Sequence, residues 1–232
     1  MMILGGFNLS SSVGLVRSSS LYQQAYQTLR QRILNGEFFP EQRLVETQLA
    51  EELQVSRTPI RESLRQLQRE NLITTDHKGG LIIPRLSPED ARQLYDCRLA
   101  LELLAVQEAC YLGTAEQLKN VGAWVIRAET LLAIEDASEV TRSELLEIDY
   151  SFHRAIAQSS GNDHLLELLV RVFDQMTLLR VQTTEKKPDV LEIRSEHRKI
   201  YEALLSRDVS IAQAAIKDHL EASKDRVASL LQ

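Results

Sequence analysis

The chain has 232 residues, enough for two domains or one large one, and at 44% hydrophobic it carries ample material for a core. No stretch approaches the roughly 18 consecutive apolar residues of a membrane span, and a net charge of −6 argues against a chain that is basic throughout. The charge is unevenly placed: residues 1–86 hold ten Lys and Arg against eight Asp and Glu, while the rest holds seventeen against twenty-five. Only the local field at a binding face governs docking to nucleic acid, so an acidic second half does not exclude a DNA-binding first half. Cys97 and Cys110 fall in one helical pattern, about 20 Å apart along a continuous helix. That is beyond disulfide reach, so reduced, packed thiols in a cytoplasmic protein are expected.

Residues 1–19 are rich in Gly and Ser and lack both a positive leading segment and a long apolar run. They read as a flexible tail, not a signal peptide. Residues 44–73, LVETQLAEELQVSRTPIRESLRQLQRENLI, then predict two short amphipathic helices. Leu49 and Leu53 mark the inner face of the first, and Ile60, Leu64 and Leu67 that of the second. Gln54, Val55 and Ser56 are too few for anything but a turn. Ser56 or Thr58 can cap the second helix, and Pro59 is tolerated in its first turn. Helix, tight turn, helix is the architecture of a major-groove reader, whose second helix enters the groove by its N-terminal end.

That second helix carries Arg57, Arg61, Arg65 and Arg69, four residues apart. Each step of four drifts about 40° round the axis. Arg57 and Arg61 are thus the foremost base or phosphate contacts, Arg65 a phosphate contact, and Arg69 a solvated residue. A row of Arg at this spacing also describes an ordinary wet helix face; the preceding helix, the turn and the following segment favour DNA. In that segment Asn71 can end the helix in a left-handed conformation. Leu72–Thr75 and Leu81–Ile83 read as strands around a DHKGG turn. His77, Lys78 and Gly79 at the tip can then lie along a phosphate backbone or minor groove.

Residues 20–84 resemble the winged helix-turn-helix of the GntR family of bacterial transcription regulators. The likeness rests on LAEELQVSRTPIRESLRQL and the wing after it. Gln54 and Asn71 stand where the family often has Gly, Thr47 where some members have a DNA-contacting Arg, and DHKGG replaces a more usual Arg-Gly wing tip. The DNA-facing set is Ser56, Arg57, Thr58, Arg61 and Arg65 with His77, Lys78 and Gly79.

The segment PRLSP (84–88) reads as a linker. Ser87 caps a helix with Pro88 in first position and acidic residues following. Six helices are expected from there, at about 88–112, 114–136, 139–159, 163–185, 189–206 and 208–231, with breaks at Gly161-Asn162, Lys187-Pro188 and Arg207-Asp208. They form an antiparallel bundle. The fold class is mainly α: a winged helix-turn-helix at 20–84 and an all-helical domain at 88–231.

Four metal-ligand side chains fall in this bundle. Asp149 and His153 are i, i+4 on one helix, His197 is on the fifth and His219 on the sixth. Their neighbours one turn away (Leu145, Ile156 and Ala157; Ile193, Ile200 and Tyr201; Ala215 and Ile216) are mostly apolar, so all four point inward. Burying them unpartnered would be costly, and one divalent ion satisfies them together. The donor set suits zinc first, with nickel, iron(II) or manganese as alternatives. A single buried His is commonly a hydrogen-bonded core residue; it is the convergence of four that points to a metal. His164 lies off this pattern, at the surface or in a cap.

Residues 88–231 resemble the FCD domain that defines the FadR-type branch of the same family. The matching segments are LYDCRLALE (94–102), EIDYSFHRAIAQSSGNDHLLELL (147–169), EHRKIYEALLSRD (196–208) and His219-Leu220. The resemblance implies a divalent metal held by Asp149, His153, His197 and His219 beneath a small carboxylate effector. It places Arg98 toward that effector; a surface ion pair with Glu102 is the alternative for Arg98. The intact set argues against the acyl-CoA-binding branches. The expected protein is a homodimer, outside any membrane, on a double-stranded operator with an inverted repeat. Its rivals are a metal-dependent enzyme built on the bundle, and a regulator with a purely structural metal.

Overall fold

A computed structural model of the chain describes residues 20–132, 142–184 and 194–231. The expected tail at 1–19, the Lys187-Pro188 break, Ile193 and the predicted helix ends at 133–136, 139–141, 185 and 189–193 lie outside the described residues.

The head is built on three helices and a hairpin. Helix α1 (Leu21–Leu34) opens on a capping box, in which the Ser20 hydroxyl accepts from Gln23 N–H and the Gln23 side chain accepts from Ser20 N–H. It buries Ala25, Leu29 and Ile33, one stripe at i, i+4, i+8. This helix was not among the expected elements, although Ser-x-x-Gln ahead of that stripe announces it. Helix α2 (Glu46–Glu52) and helix α3 (Arg57–Arg69) follow. Helix α3 buries Ile60, Leu64 and Leu67, as its spacing predicts, together with Pro59 and Ser63. The Ser63 hydroxyl reaches the Pro59 and Tyr22 carbonyls and pins α3 to α1. Strands β1 (Thr74–Thr75) and β2 (Leu81–Ile82) pair antiparallel, Thr74 opposite Ile82.

Gln54 and Asn71 adopt φ of 54° and 58°. They bracket α3 with left-handed residues, a conformation that glycine adopts without steric cost. A side chain there costs about 1–2 kcal/mol, part of which glycine returns through its larger unfolded-state entropy. Gln54→Gly is therefore expected to raise the melting temperature of the head, and Gln54→Val to lower it, in thermal unfolding followed by circular dichroism.

The second part is helical throughout its described residues: α4 (Pro88–Leu112), α5 (Ala115–Leu132), α6 (Arg142–Ser159), α7 (Asp163–Thr184), α8 (Arg194–Ser206) and α9 (Val209–Leu230). Ser87 and Asp90 form the capping box of α4, with Pro88 in its first turn. Helix α4 is the hub and packs on α6, α7, α8 and α9. Cys97 is exposed and Cys110 buried, both free. Gly122 admits the Tyr201 ring so closely that a Cβ there would lie 2.4 Å from it. The two parts have separate hydrophobic cores, but Leu178 of α7 belongs to the core of the head.

Candidate nucleic-acid interface and metal centre

Every polar residue singled out on α3 faces outward. Ser56, Arg57, Thr58, Arg61 and Arg65 are all exposed, and so is Arg69, which donates to Gln66 on its own helix. The Ser56 hydroxyl makes no capping bond. Arg61 donates to the Glu46 carboxylate at 3.2 Å, and Arg57 lies 3.8 Å from the same group. Glu46 thus bonds to Arg61 and lies within ion-pair distance of Arg57.

At the wing tip the Asp76 carboxylate accepts from Gly80 N–H and Lys78 N–H, both at 2.8 Å. Those two bonds hold its pKa below the usual range. His77, Lys78 and Gly79 are exposed, and Gly79 has φ of 80°. Arg43, which the sequence reading passed over, bridges to Ile82 and lies so close to Gly80 that a Cβ there would sit 2.5 Å from its guanidinium. It adds a cation at the base of the wing.

The second site is buried. Asp149 and His153 on α6, His197 on α8 and His219 on α9 each offer a ligand atom, all within 4.8 Å of one another. Around a tetrahedral ion with bonds of about 2.0–2.2 Å, donors lie about 3.3–3.6 Å apart, so the widest pairs would close by roughly an ångström. All three imidazoles are 1% exposed, and Asp149 is 6% exposed. The ring of His197 stacks on Phe152, with centroids 4.0 Å apart. His164, by contrast, is exposed.

Carboxylates behind the rings fix their tautomers. His153 Nδ1 lies 2.6 Å from Glu102 and His219 Nδ1 2.7 Å from Glu196. Glu102 also accepts from Arg98 Nε, and Glu196 from Arg226. Burial raises the Glu102 carboxyl above its usual range, against the pull of Arg98; with both carboxylates acting as acceptors, each ring carries its proton on Nδ1 and each Nε2 presents a lone pair. The two Nε2 atoms face each other at 3.2 Å. Asp149 Oδ1 and His197 Nε2 are buried 3.6 Å apart; Asp149 Oδ1 is ion-paired with Arg180 Nη1 at 3.2 Å, and His197 Nε2 has no hydrogen-bond partner. Lone pairs turned on one another and an unpartnered imidazole nitrogen are the surroundings a cation satisfies, with the outer carboxylates orienting the ligands.

The electrostatics agree. Burial pulls the pKa values of all three histidines down; the Arg98 guanidinium adds to this at each of them, and at His197 the other two imidazoles add more than Arg98 does. At His219 the bond to Glu196 opposes burial but does not cancel it. Burial raises the Asp149 carboxyl, but Arg180, His153 and Arg98 together take it below its usual range. Glu196, half-buried, is held at about 2 because the bonds from His219 and Arg226 outweigh its burial. The site near neutral pH is three neutral imidazoles and one carboxylate.

Arg98 is 1% exposed and pairs with Glu102, so the i, i+4 ion pair exists but is not at the surface. Its Nη1 is buried without a hydrogen-bond partner. Arg98, Asp149, His153 and Arg180 line a cavity of about 10 Å³ with Tyr150, Phe173, Met176 and Thr177. Two guanidinium groups facing one small space suit an anion. The positions one turn from each ligand offer no general base, as their mostly apolar side chains imply. The sequence did not single out Glu102 and Glu196 as partners of the rings: the first reaches His153 across helices, and the second directly precedes His197. Arg180 and Arg226 were also missed.

A winged helix-turn-helix head joined to a helical bundle with a buried Asp/His₃ cluster defines a class of DNA-binding transcription regulator. Two family models match the chain, the bacterial regulatory proteins of the gntR family over residues 21–83 and the FCD domain over residues 93–222. The chain belongs to the GntR family, with an FCD domain. It is 31% identical to the HTH-type transcriptional regulator YdhC of Bacillus subtilis, over 94% of this chain and 96% of that one. It is 29% identical to the HTH-type transcriptional repressor GlaR of Escherichia coli, over 84% and 90%. Among solved structures, McbR/YncC of E. coli superposes with a TM-score of 0.78 at 20% identity, covering 92% of this chain and 99% of that one. Among the described residues no helix is long and apolar enough to cross a membrane.

Proposed function

We propose that the chain is an effector-responsive regulator in which residues 20–84 bind DNA and residues 88–231 hold a divalent metal and a small organic acid. The single observation that carries this reading is the convergence of four buried ligand-type side chains, among which His197 Nε2 has no hydrogen-bond partner and lies 3.6 Å from Asp149 Oδ1. Zinc is the first candidate for the ion, with nickel, iron(II) and manganese next. The bound ion supplies a Lewis-acidic anchor for a carboxylate. The chain itself supplies Arg98 and Arg180 to pair the anion, and Glu102 and Glu196 to hold the rings in register.

Two heads on an inverted repeat, brought together by a two-fold homodimer, provide the operator contact. Leu104, Tyr111 and Leu112 support this: they form an exposed apolar stripe at i, i+7, i+8 on α4. DNA contacts come from Ser56, Arg57, Thr58, Arg61 and Arg65, with His77, Lys78 and Gly79 from the wing. The enzyme reading finds less support. Glu102 and Glu196 both sit behind their imidazoles, on the Nδ1 side, and so face away from where a metal-bound water would need a base.

Elemental analysis of protein purified without tag or chelator tests the metal. Selection of bound DNA from random fragments tests the operator, and light scattering the dimer. One metal per chain, a palindromic consensus and a dimeric mass are expected. A metal-free protein whose melting is unmoved by zinc, nickel and manganese would overturn the metal site, and a monomer on and off DNA would overturn the dimer.

A further inference from the structure

The cavity beside the ligands, about 10 Å³, admits about one water. No carboxylate fits unless a wall moves. The walls indicate which one. On the far side of Tyr150 and Thr177 lies a cleft of about 420 Å³ between α1 and α6, and those two residues line both spaces. Tyr150 follows Asp149 on α6, and its hydroxyl accepts from Arg30 Nη2 at 3.3 Å. Arg30 belongs to α1 of the head and makes a bidentate ion pair with Asp174 of α7.

Helix α7 has two faces with two clients. Asp174, Leu178 and Gln182, four residues apart, serve the head. Asp174 holds Arg30, Leu178 enters the head's core, and Gln182 bonds to the backbone of Pro84 and Leu86. Phe173, Met176, Thr177 and Arg180, at i, i+3, i+4, i+7, line the cavity by the ligands. A helix this closely packed moves as a unit, so whatever opens the cavity also disturbs the seat of the head.

We infer that the Arg30–Tyr150–Asp174 contact is the gate of the metal pocket. A small carboxylate enters from the cleft between α1 and α6 when Tyr150 leaves Arg30, so ligand entry and the docking of the DNA-binding head are one coupled equilibrium. The carboxylate part rests on the metal-and-effector reading above; the gate itself rests on the packing alone. Coupling then follows from linkage: a ligand that is bound only with the gate open favours the undocked head, and a docked head opposes the ligand.

Two variants of the full chain test it. Tyr150→Phe keeps the ring and removes the hydroxyl; Arg30→Met removes the guanidinium. In metal-free protein, diethyl pyrocarbonate modification of His153, His197 and His219 is followed by mass spectrometry, with exposed His77 and His164 as internal references. The three buried histidines should react slowly in the wild type and about tenfold or more faster in either variant, the effect of losing a hydrogen bond to a charged group. His77 and His164 should not change. The double variant should be no faster than Arg30→Met, because both substitutions open one contact.

In the cobalt-loaded protein, removal of the ion by excess EDTA should accelerate similarly in both variants. Its equilibrium affinity should hold within about twofold, since no ligand is lost. Unchanged buried-histidine rates in a folded Tyr150→Phe protein, checked by its melting, would overturn the gate. Failure of the wild type to bind cobalt would instead overturn the metal reading, and the metal-free rates would still decide the gate.

Discussion

His219→Ala is expected to abolish metal binding and the thermal stabilisation that goes with it. A ligand of the folded state at a thousand times its dissociation constant stabilises by about 4 kcal/mol, which for a domain of this size is on the order of 10 °C in melting temperature. Added zinc should raise the wild-type melting point by this order and leave that of His219→Ala unmoved. His197→Ala should behave the same way, and it also removes the ring stacked on Phe152.

Acid should act in the same direction. The folded chain holds the three imidazoles below their ordinary pKa, chiefly by burial. As the pH falls through about 6.5 the unfolded chain takes up protons first, so stability is full above that value and declines below it until the native imidazoles titrate. Metal is lost over the same window, because ligation needs neutral rings. Glu196, held at about 2, loses its contribution only in stronger acid. Calorimetry between pH 8 and pH 5, with and without zinc, checks both effects. A melting temperature flat across that range would contradict them.

Arg57→Ala and Arg61→Ala should each weaken operator binding by about 1–3 kcal/mol, the worth of one good base contact. They should also flatten the preference for operator over scrambled DNA. Lys78→Ala is expected to weaken both DNAs alike and to reduce the salt dependence, as the loss of a phosphate contact does. Glu46→Gln sharpens the test. Its carboxylate holds both arginines in the free protein, so removing it should raise non-specific affinity while loosening discrimination. Fluorescence anisotropy titrations on both DNAs at two salt concentrations separate these outcomes. Normal operator binding by both arginine variants would mean that another face of α3 reads the bases.

The sequence by itself determined the local elements and the chemistry they carry. The stripe of Ile60, Leu64 and Leu67 with its tight turn specified the reading helix, because apolar period and turn length are local properties. Left-handed geometry at Asn71 was legible because few residues tolerate it. Asp149 and His153 were legible as one face because four residues make one turn, and the apolar neighbours of His197 and His219 marked both as inward. Ser-x-x-Gln before α1 was equally local and was simply not read.

Tertiary structure alone decided what lies across from what. Glu102 behind His153, Glu196 behind His219, and Arg30 on Asp174 and Tyr150 join residues 51, 23, 144 and 120 positions apart. Helical period says which way a side chain points on its own helix, but it carries no information about which helix it will meet. For the same reason the i, i+4 spacing of Arg98 and Glu102 announced an ion pair but could not say that the bundle would close over it. Burial is a property of the neighbours, and only the packed fold turned that pair into the inner wall of the site.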